Sequence, residues 1–237
     1  MRAAVSFLTV AGRSSAPGAP GPRTSEWFAP VGALLGALLG GLWWLSAKVW
    51  PPAVAAAVVV VADLALTGML HFDGLVDCGD GLVAPMTRER RLEVMSAPEA
   101  GAFGVGVGGA VLLLRWAALF ALRPSVLLLA GLWALSRAGM AAVIRTRPYA
   151  RSGGGLASAF AGDARRVVLA VGVLAGVALC AAWRPAPGLV AASVGLCSGA
   201  LVVALGQRRL GGYTGDVLGA TALIGETFGL IAAAARW

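Results

Sequence analysis

The stretch PPAVAAAVVVVADLALTGMLHFDGLVDCGDGL, residues 51–82, carries the two opposed signals that decide the fold. Its first part, 53–70, is an apolar window interrupted by one charge, Asp63. Its second part crowds three carboxylates, Asp73, Asp77 and Asp80, into eight residues. A helix that crosses a bilayer needs about 20 mostly apolar residues. Windows of that kind also lie near 28–47, 104–122, 125–144, 167–183, 187–206 and 217–235. The predicted fold is all-α, a polytopic integral membrane helical bundle of about seven transmembrane helices.

Composition agrees. Of 237 residues, 59% are hydrophobic and 13% are charged, against about 25% charged in soluble domains. Mean hydropathy is +0.83. No polar linker divides the chain, which predicts one integral membrane domain over 1–237. Within it, 1–27 reads as a cytoplasmic or interfacial N-terminal segment, and 71–103 and 145–166 as cytoplasmic connections. The opening MRAAVSFLTVAG has an apolar run of only about eight residues before Arg13, too short for a cleaved signal and suited to an interfacial segment. Cys78, Cys180 and Cys197 have no CxxC spacing, which argues against a disulfide framework or a zinc site. Pro51–Pro52, Arg123–Pro124 and Arg184–Pro185 punctuate the windows and predict helical hairpins.

The net charge of +8 has a membrane explanation. If seven spans alternate, Arg2, Arg13, Arg23, Arg88, Arg90, Arg91, Arg145, Arg147, Arg151, Arg165, Arg166, Arg208 and Arg209 all fall on one side. Lys48, Arg123, Arg184 and Arg236 fall on the other, and Arg115 and Arg137 lie within spans. Basic residues collect in cytoplasmic loops, so the N-terminus is placed in the cytoplasm of a multi-pass inner-membrane protein, and no nucleic acid is needed to account for the charge. Gly32, Gly36 and Gly40, and Gly104 and Gly108, have the small-xxx-small spacing of close helix contacts in lipid. GVGVGG (104–109) follows no strand, so it is not read as a dinucleotide loop.

At about 100° per residue, Asp77 lies about 40° from Asp73 on a helix and Asp80 about 20° the other way, one narrow face. Gly, Leu, Val and Cys separate them, unlike a solvated acidic face. Stacked carboxylates repel unless a cation neutralises them, and oxygen ligands select hard cations such as Mg²⁺, which uses one or two carboxylates plus substrate phosphates. His71, about 160° from Asp73 on an ideal helix, falls outside that shell and is read as a packing residue or a substrate contact. In RTRPYARSGGGLASAFAG (145–162), Arg145, Arg147, Tyr149 and Arg151 precede three glycines. Arginine forks and glycine turns suit phosphate, and positive-inside charge explains the same residues equally well. In LGGYTGDVLGATALIGE (210–226), Asp216 opens the last window and Glu226 lies within it. Asp63, Arg115, Arg137 and Glu226 sit inside spans, where an ionisable residue is a functional candidate or one half of a buried pair.

TGMLHFDGLVDCGDGL (67–82), SRAGMAAVIRTRPYARSGGGL (136–156) and GGYTGDVLGATALIGE (211–226), with SFLT (6–9) and FAPVGALLGALLG (28–40), resemble in order and spacing the signature segments of the cobalamin synthase (adenosylcobinamide-GDP ribazoletransferase) family. The resemblance covers nearly the whole chain. It departs at EVMSAPEAGAFGV (93–105), where Ala97, Pro98 and Glu99 replace an Asp-Ser-Arg-like run, and at Gly68-Met69, which replaces a double glycine. No metal or phosphate role is carried over to the 93–105 loop.

The resemblance implies a Mg²⁺-requiring membrane enzyme. Its reaction joins adenosylcobinamide-GDP to α-ribazole or its 5′-phosphate, giving adenosylcobalamin or its 5′-phosphate and GMP. On this reading Asp73, Asp77 and Asp80 are catalytic and hold Mg²⁺ with Asp216, and Asp80 is placed as proton acceptor. Arg145, Arg147, Tyr149, Arg151 and His71 contact substrate. The partners are these two substrates and the lipid bilayer, with no nucleic acid and a homo-oligomer left open. Two alternatives stand beside it. A CDP-alcohol phosphotransferase would carry DGxxAR, whereas Val76-Asp77 follows Asp73-Gly74 here. A small-solute transporter would line a mid-membrane route with Asp63, Arg115, Arg137 and Glu226, and the chain shows no internal repeat.

Overall fold

The computed structural model describes residues 1–11, 21, 23–160, 162 and 164–237. Arg13, counted above with the N-terminal basic residues, lies outside them. Among the described residues ten α-helices follow one another: α1 (Arg2–Leu8), α2 (Phe28–Val49), α3 (Pro52–Thr67), α4 (Leu70–Cys78), α5 (Arg88–Val94), α6 (Ala102–Ala121), α7 (Val126–Thr146), α8 (Arg166–Trp183), α9 (Pro185–Leu210) and α10 (Gly215–Ala233). Six helical stretches are long and apolar enough to cross a membrane. Pro52–Thr67 and Leu70–Val83, bent by 94° at the break between them, make a seventh if they are taken as one broken span.

That bend is the main departure from a row of straight spans. Helix α3 starts on Pro52, where the missing N–H costs nothing, and stops after 16 residues. Gly68 and Met69 then both take φ near 59°, a left-handed pair that no α-helix continues through. The 71–103 connection is accordingly built of helix. It contains α4, a π-helical turn at Gly79–Val83, and α5.

Helix α7 is the axis of the bundle, with α2, α8, α9 and α10 around it. Its contact with α2 runs along the predicted glycine seam. A β-carbon at Gly36 would lie 2.8 Å from the Ala130 α-carbon, and one at Gly40 would lie 2.6 Å from that of Val126. The Gly104–Gly108 seam of α6 lies against α4, where a β-carbon at Gly104 would sit 2.6 Å from the Val76 carbonyl oxygen. Of the three hairpins predicted at proline, α2 packs on α3 and α8 on α9, whereas α6 and α7, joined across Arg123–Pro124, pack mainly on other helices. Ser125 caps α7 through the Leu128 N–H at 3.2 Å, and Gly188 at the start of α9 packs on the end of α8 at Cys180. At the N-terminus, Phe7 of α1 stacks with Phe28 and Phe160 at ring separations of 5.7 and 4.4 Å.

The charges inside the spans pair with one another. Arg115 on α6 binds Asp63 on α3 and reaches Glu226 on α10 at 2.7 Å, and Arg137 on α7 binds the other oxygen of Glu226. Trp133 donates to Asp63 at 3.1 Å, Ser136 to Glu226 at 2.7 Å, and the Arg115 Nε to Thr227 at 3.1 Å. Two acids and two arginines make a neutral set, and each of the four is at most 4% exposed. They tie α3, α6, α7 and α10 together as closed pairs, where a transport route would have them facing open space.

Candidate active site

The site forms where α4 lies across the start of α10. Glycine permits the approach: a β-carbon at Gly74 would stand 2.8 Å from the Asp216 α-carbon, and one at Gly219 would stand 3.0 Å from that of His71. Asp73 and Asp77 flank this contact on α4, and Asp216 sits in the first turn of α10, which Thr214 caps.

The 147–155 chain is drawn to the same place. It leaves α7 extended at Arg147, and Tyr149 pairs with Tyr213 in an isolated parallel bridge. The Ala150 N–H donates to the Tyr213 carbonyl at 2.9 Å, and the Tyr213 N–H donates to the Pro148 carbonyl at 3.0 Å. Arg88 fastens both chains, donating to the carbonyls of Leu210 at 2.7 Å and Ala150 at 2.9 Å. Buried Arg91 similarly holds the π-turn through the Gly81 carbonyl at 2.6 Å; burial and nearby Arg209 lower its pKa.

The result is a cavity of about 130 Å³ lined by His71, Asp73, Tyr149, Arg151 and Asp216, with Phe7 and Met140 among its apolar walls. Arg151 donates to the Asp216 carboxylate at 2.8 Å and to the Met95 carbonyl at 3.1 Å, and Thr214 donates to the same Asp216 oxygen at 3.1 Å. Burial pushes the Tyr149 hydroxyl up, with the Asp216 charge adding to it and Arg151 opposing it, so it serves as a neutral donor. Both ring nitrogens of His71 and the Nε of Arg151 are buried without a hydrogen-bond partner. Buried polar groups are nearly always satisfied, and both residues line this cavity, which fits a polar ligand or ordered water there.

The carboxylates divide. Asp77 faces the like charges of Asp216 and Asp73, and more weakly that of Asp80, opposed by Arg151. Asp80 falls in the π-turn Gly79–Val83. Its two oxygens accept the Gly101 N–H at 2.7 Å and the Gly104 N–H at 2.8 Å, so it caps α6 and borders a different cavity with Arg90, Glu93 and Glu99. Of the three aspartates, Asp73 lines the cavity, and the Asp80 carboxylate is taken up by the start of α6. Among the described residues, no three His, Cys, Asp or Glu side chains converge as a metal-binding group. The oxygen-only donor set fits a cation that takes one or two carboxylates and completes its shell with water and phosphate oxygens, as Mg²⁺ does.

A family model described as cobalamin-5-phosphate synthase matches residues 1–234. The chain belongs to that family. Among curated relatives, proteins named adenosylcobinamide-GDP ribazoletransferase are similar to it. The one from Bradyrhizobium diazoefficiens is 37% identical over 242 residues, 99% of this chain and 93% of its own. That from Chlorobium phaeovibrioides is 35% identical, covering 87% of this chain and 85% of its own, and that from Leptothrix cholodnii is 38% identical, covering 83% and 81%. No solved structure matches.

Within this cobalamin-5-phosphate synthase family member, the cavity brings together His71, Asp73, Tyr149, Arg151 and Asp216 from the residues expected in the site. Arg145 and Arg147 do not join it. They stay at the end of α7, bordering two other cavities, because the chain turns toward α10 only after Pro148. Thr214 and the Met95 carbonyl, which orient Asp216 and Arg151, escape a search of the sequence for charged clusters. Thr214 was legible as a helix cap before Asp216, whereas the role of a main-chain carbonyl leaves no mark on side-chain identity.

Proposed function

We propose that the protein transfers the adenosylcobinamide phosphate moiety of adenosylcobinamide-GDP to α-ribazole or its 5′-phosphate, releasing GMP, with Mg²⁺, at the cytoplasmic face of the inner membrane. The observation that carries this reading is the cavity that brings Asp73 and Asp216 together with Arg151, Tyr149 and His71, in a chain that matches the family along its length. An alcohol oxygen forms a bond to the phosphorus on the cobinamide side, the bond from that phosphorus to the bridging oxygen breaks, and the hydroxyl proton passes to a carboxylate of the site.

Asp73 and Asp77 would hold Mg²⁺, which when bound neutralises charge on the pyrophosphate oxygens. Arg151 would offer the exposed part of its guanidinium to a phosphate oxygen while Asp216 and the Met95 carbonyl fix the guanidinium plane. A guanidinium held this way loses little freedom on binding an anion. Tyr149 and His71 supply neutral hydrogen bonds to sugar or phosphate oxygens, and the Phe7 and Met140 wall limits water. Electrostatic placement of this kind is the main lever in phosphoryl transfer.

The test is GMP release by purified protein in lipid nanodiscs with both substrates. Full activity in EDTA, or activity surviving Asp73→Ala and Asp77→Ala, sinks the metal assignment. Absence of GMP release by the wild type with Mg²⁺ present sinks the reaction.

A further inference from the structure

We propose a binding groove for an anionic phospholipid between α7, α9 and α10, separate from the cavity above. The groove encloses about 400 Å³, and its walls include Leu135, Gly139 and Val143 of α7, Gly199 and Val203 of α9, and Thr221 of α10. It runs along α7 from Leu132 to Thr146, roughly 21 Å at 1.5 Å per residue. One leaflet contributes about 15 Å of hydrocarbon depth, so the groove can take an acyl chain along its full length. Nearly all its walls are apolar or glycine. Inside a membrane such a space is filled by hydrocarbon, because α9 presents Ala200 and Ala204 beside it as exposed positions on a spanning helix.

The end nearest the 147–155 chain supplies the headgroup chemistry. Thr146 and Arg147 close the groove there. A second cavity of about 530 Å³ shares Ala142 and Thr146 with it and adds Arg145, Arg166 and Leu169. The two spaces meet at Ala142 and Thr146 near the end of α7, one bordered by Arg147 and the other by Arg145 and Arg166, and among the described residues no Asp or Glu lines either. An apolar slot bordered at one end by arginines, at the level where a membrane meets water, is complementary to a phosphodiester with an acyl tail. A free nucleotide or phosphate would leave the slot unfilled.

The groove and the candidate active site border the same two helices: Gly139 of α7 and Thr221 of α10 line the groove, and Met140 of α7 and Gly219 of α10 line the site. Arg147 also lies two residues before Tyr149. A headgroup held by Arg147 steadies the extended chain that carries Tyr149 and Arg151.

The test uses the full chain in mild detergent, exchanged into vesicles of equal phosphatidylcholine and phosphatidylglycerol, with bound lipid counted by native mass spectrometry. The expected result is one retained phosphatidylglycerol, preferred about tenfold, the scale of one to two arginines near a membrane surface. Gly139→Leu fills the slot where an added β-carbon meets nothing within 4 Å, so the chain folds and loses the lipid. Arg147→Gln with Arg166→Gln keeps a lipid but loses the preference. Retention of both lipids alike, or a preference unchanged by both sets of variants, overturns the proposal. So does displacement by inorganic phosphate with the acyl chain unaffected, or a second copy of the chain seated in the groove and released by Gly139→Leu.

Discussion

Glu226→Gln tests the closed charge set at the centre of the bundle. Wild-type Glu226 accepts from Arg115 at 2.7 Å, from Ser136 at 2.7 Å and from Arg137. The substitution keeps the shape and one accepting oxygen but removes a charge, leaving Arg115 and Arg137 to share Asp63 alone. Two costs can be compared. Weakened hydrogen bonds within a membrane average about 0.6 kcal/mol each and reach about 1.7, so three of them cost about 2 kcal/mol. An uncompensated arginine at bilayer depth costs about 2.5–3.5 kcal/mol even on the mildest scales, and breaking one side of a buried pair costs about 3–5 kcal/mol. The charge term dominates, and a loss of about 3–5 kcal/mol is expected. The assay is reversible unfolding in bicelles, comparing Glu226→Gln, Arg137→Gln and the double variant. Because the double variant restores neutrality, it recovers about 2 kcal/mol or more relative to the sum of the single variants. Additive losses, or a single-variant loss below about 1 kcal/mol, refute the view that these four residues act as one neutral unit.

Gly36→Val places a branched side chain against the α7 backbone at 2.8 Å from the Ala130 α-carbon, where nothing can move aside; overpacking costs about 1–3 kcal/mol, read in the same unfolding assay. Asp80→Asn keeps the size of the side chain but weakens two backbone acceptor bonds at the start of α6. It should lower stability by about 1 kcal/mol and leave kcat within a few-fold; a loss of kcat on the scale of Asp73→Ala would return Asp80 to the chemistry. His71→Leu removes two buried nitrogens that have no partner, so stability should hold or rise by up to about 1–3 kcal/mol while KM for one substrate increases; an unchanged KM would remove His71 from the substrate contacts.

The membrane-spanning helices were legible because hydrocarbon enforces its requirement one residue at a time, and an apolar window needs no knowledge of its neighbours. The glycine seams of α2 and α6 were legible for a related reason: spacing alone puts small residues on one face. What escaped depends on geometry that composition does not carry. Met69 takes a left-handed backbone that its side chain does not advertise, so the 94° bend and the placing of α4 across α10 could not be read. Asp80 kept its helical spacing from Asp73 on paper, but its carboxylate is taken up by the start of α6. Arg145 and Arg147 had the same chemical credentials as Arg151. Only the bridge between Tyr149 and Tyr213, set by pairing across a gap of more than sixty positions in the numbering, separates the one that reaches Asp216 from the two that do not.

The buried charge set also imposes an order on biogenesis. Asp63, Arg115 and Arg137 belong to helices synthesised well before α10, and Glu226, which binds both arginines, arrives with the last of them. Until then two guanidiniums in the growing bundle answer to a single carboxylate, and the segment has reason to remain near the translocon, with its water-filled passage, instead of partitioning fully into lipid. The same helix delivers Asp216. Insertion of α10 therefore neutralises the buried charge set and completes the cavity in one event, so a chain stalled before that point has neither.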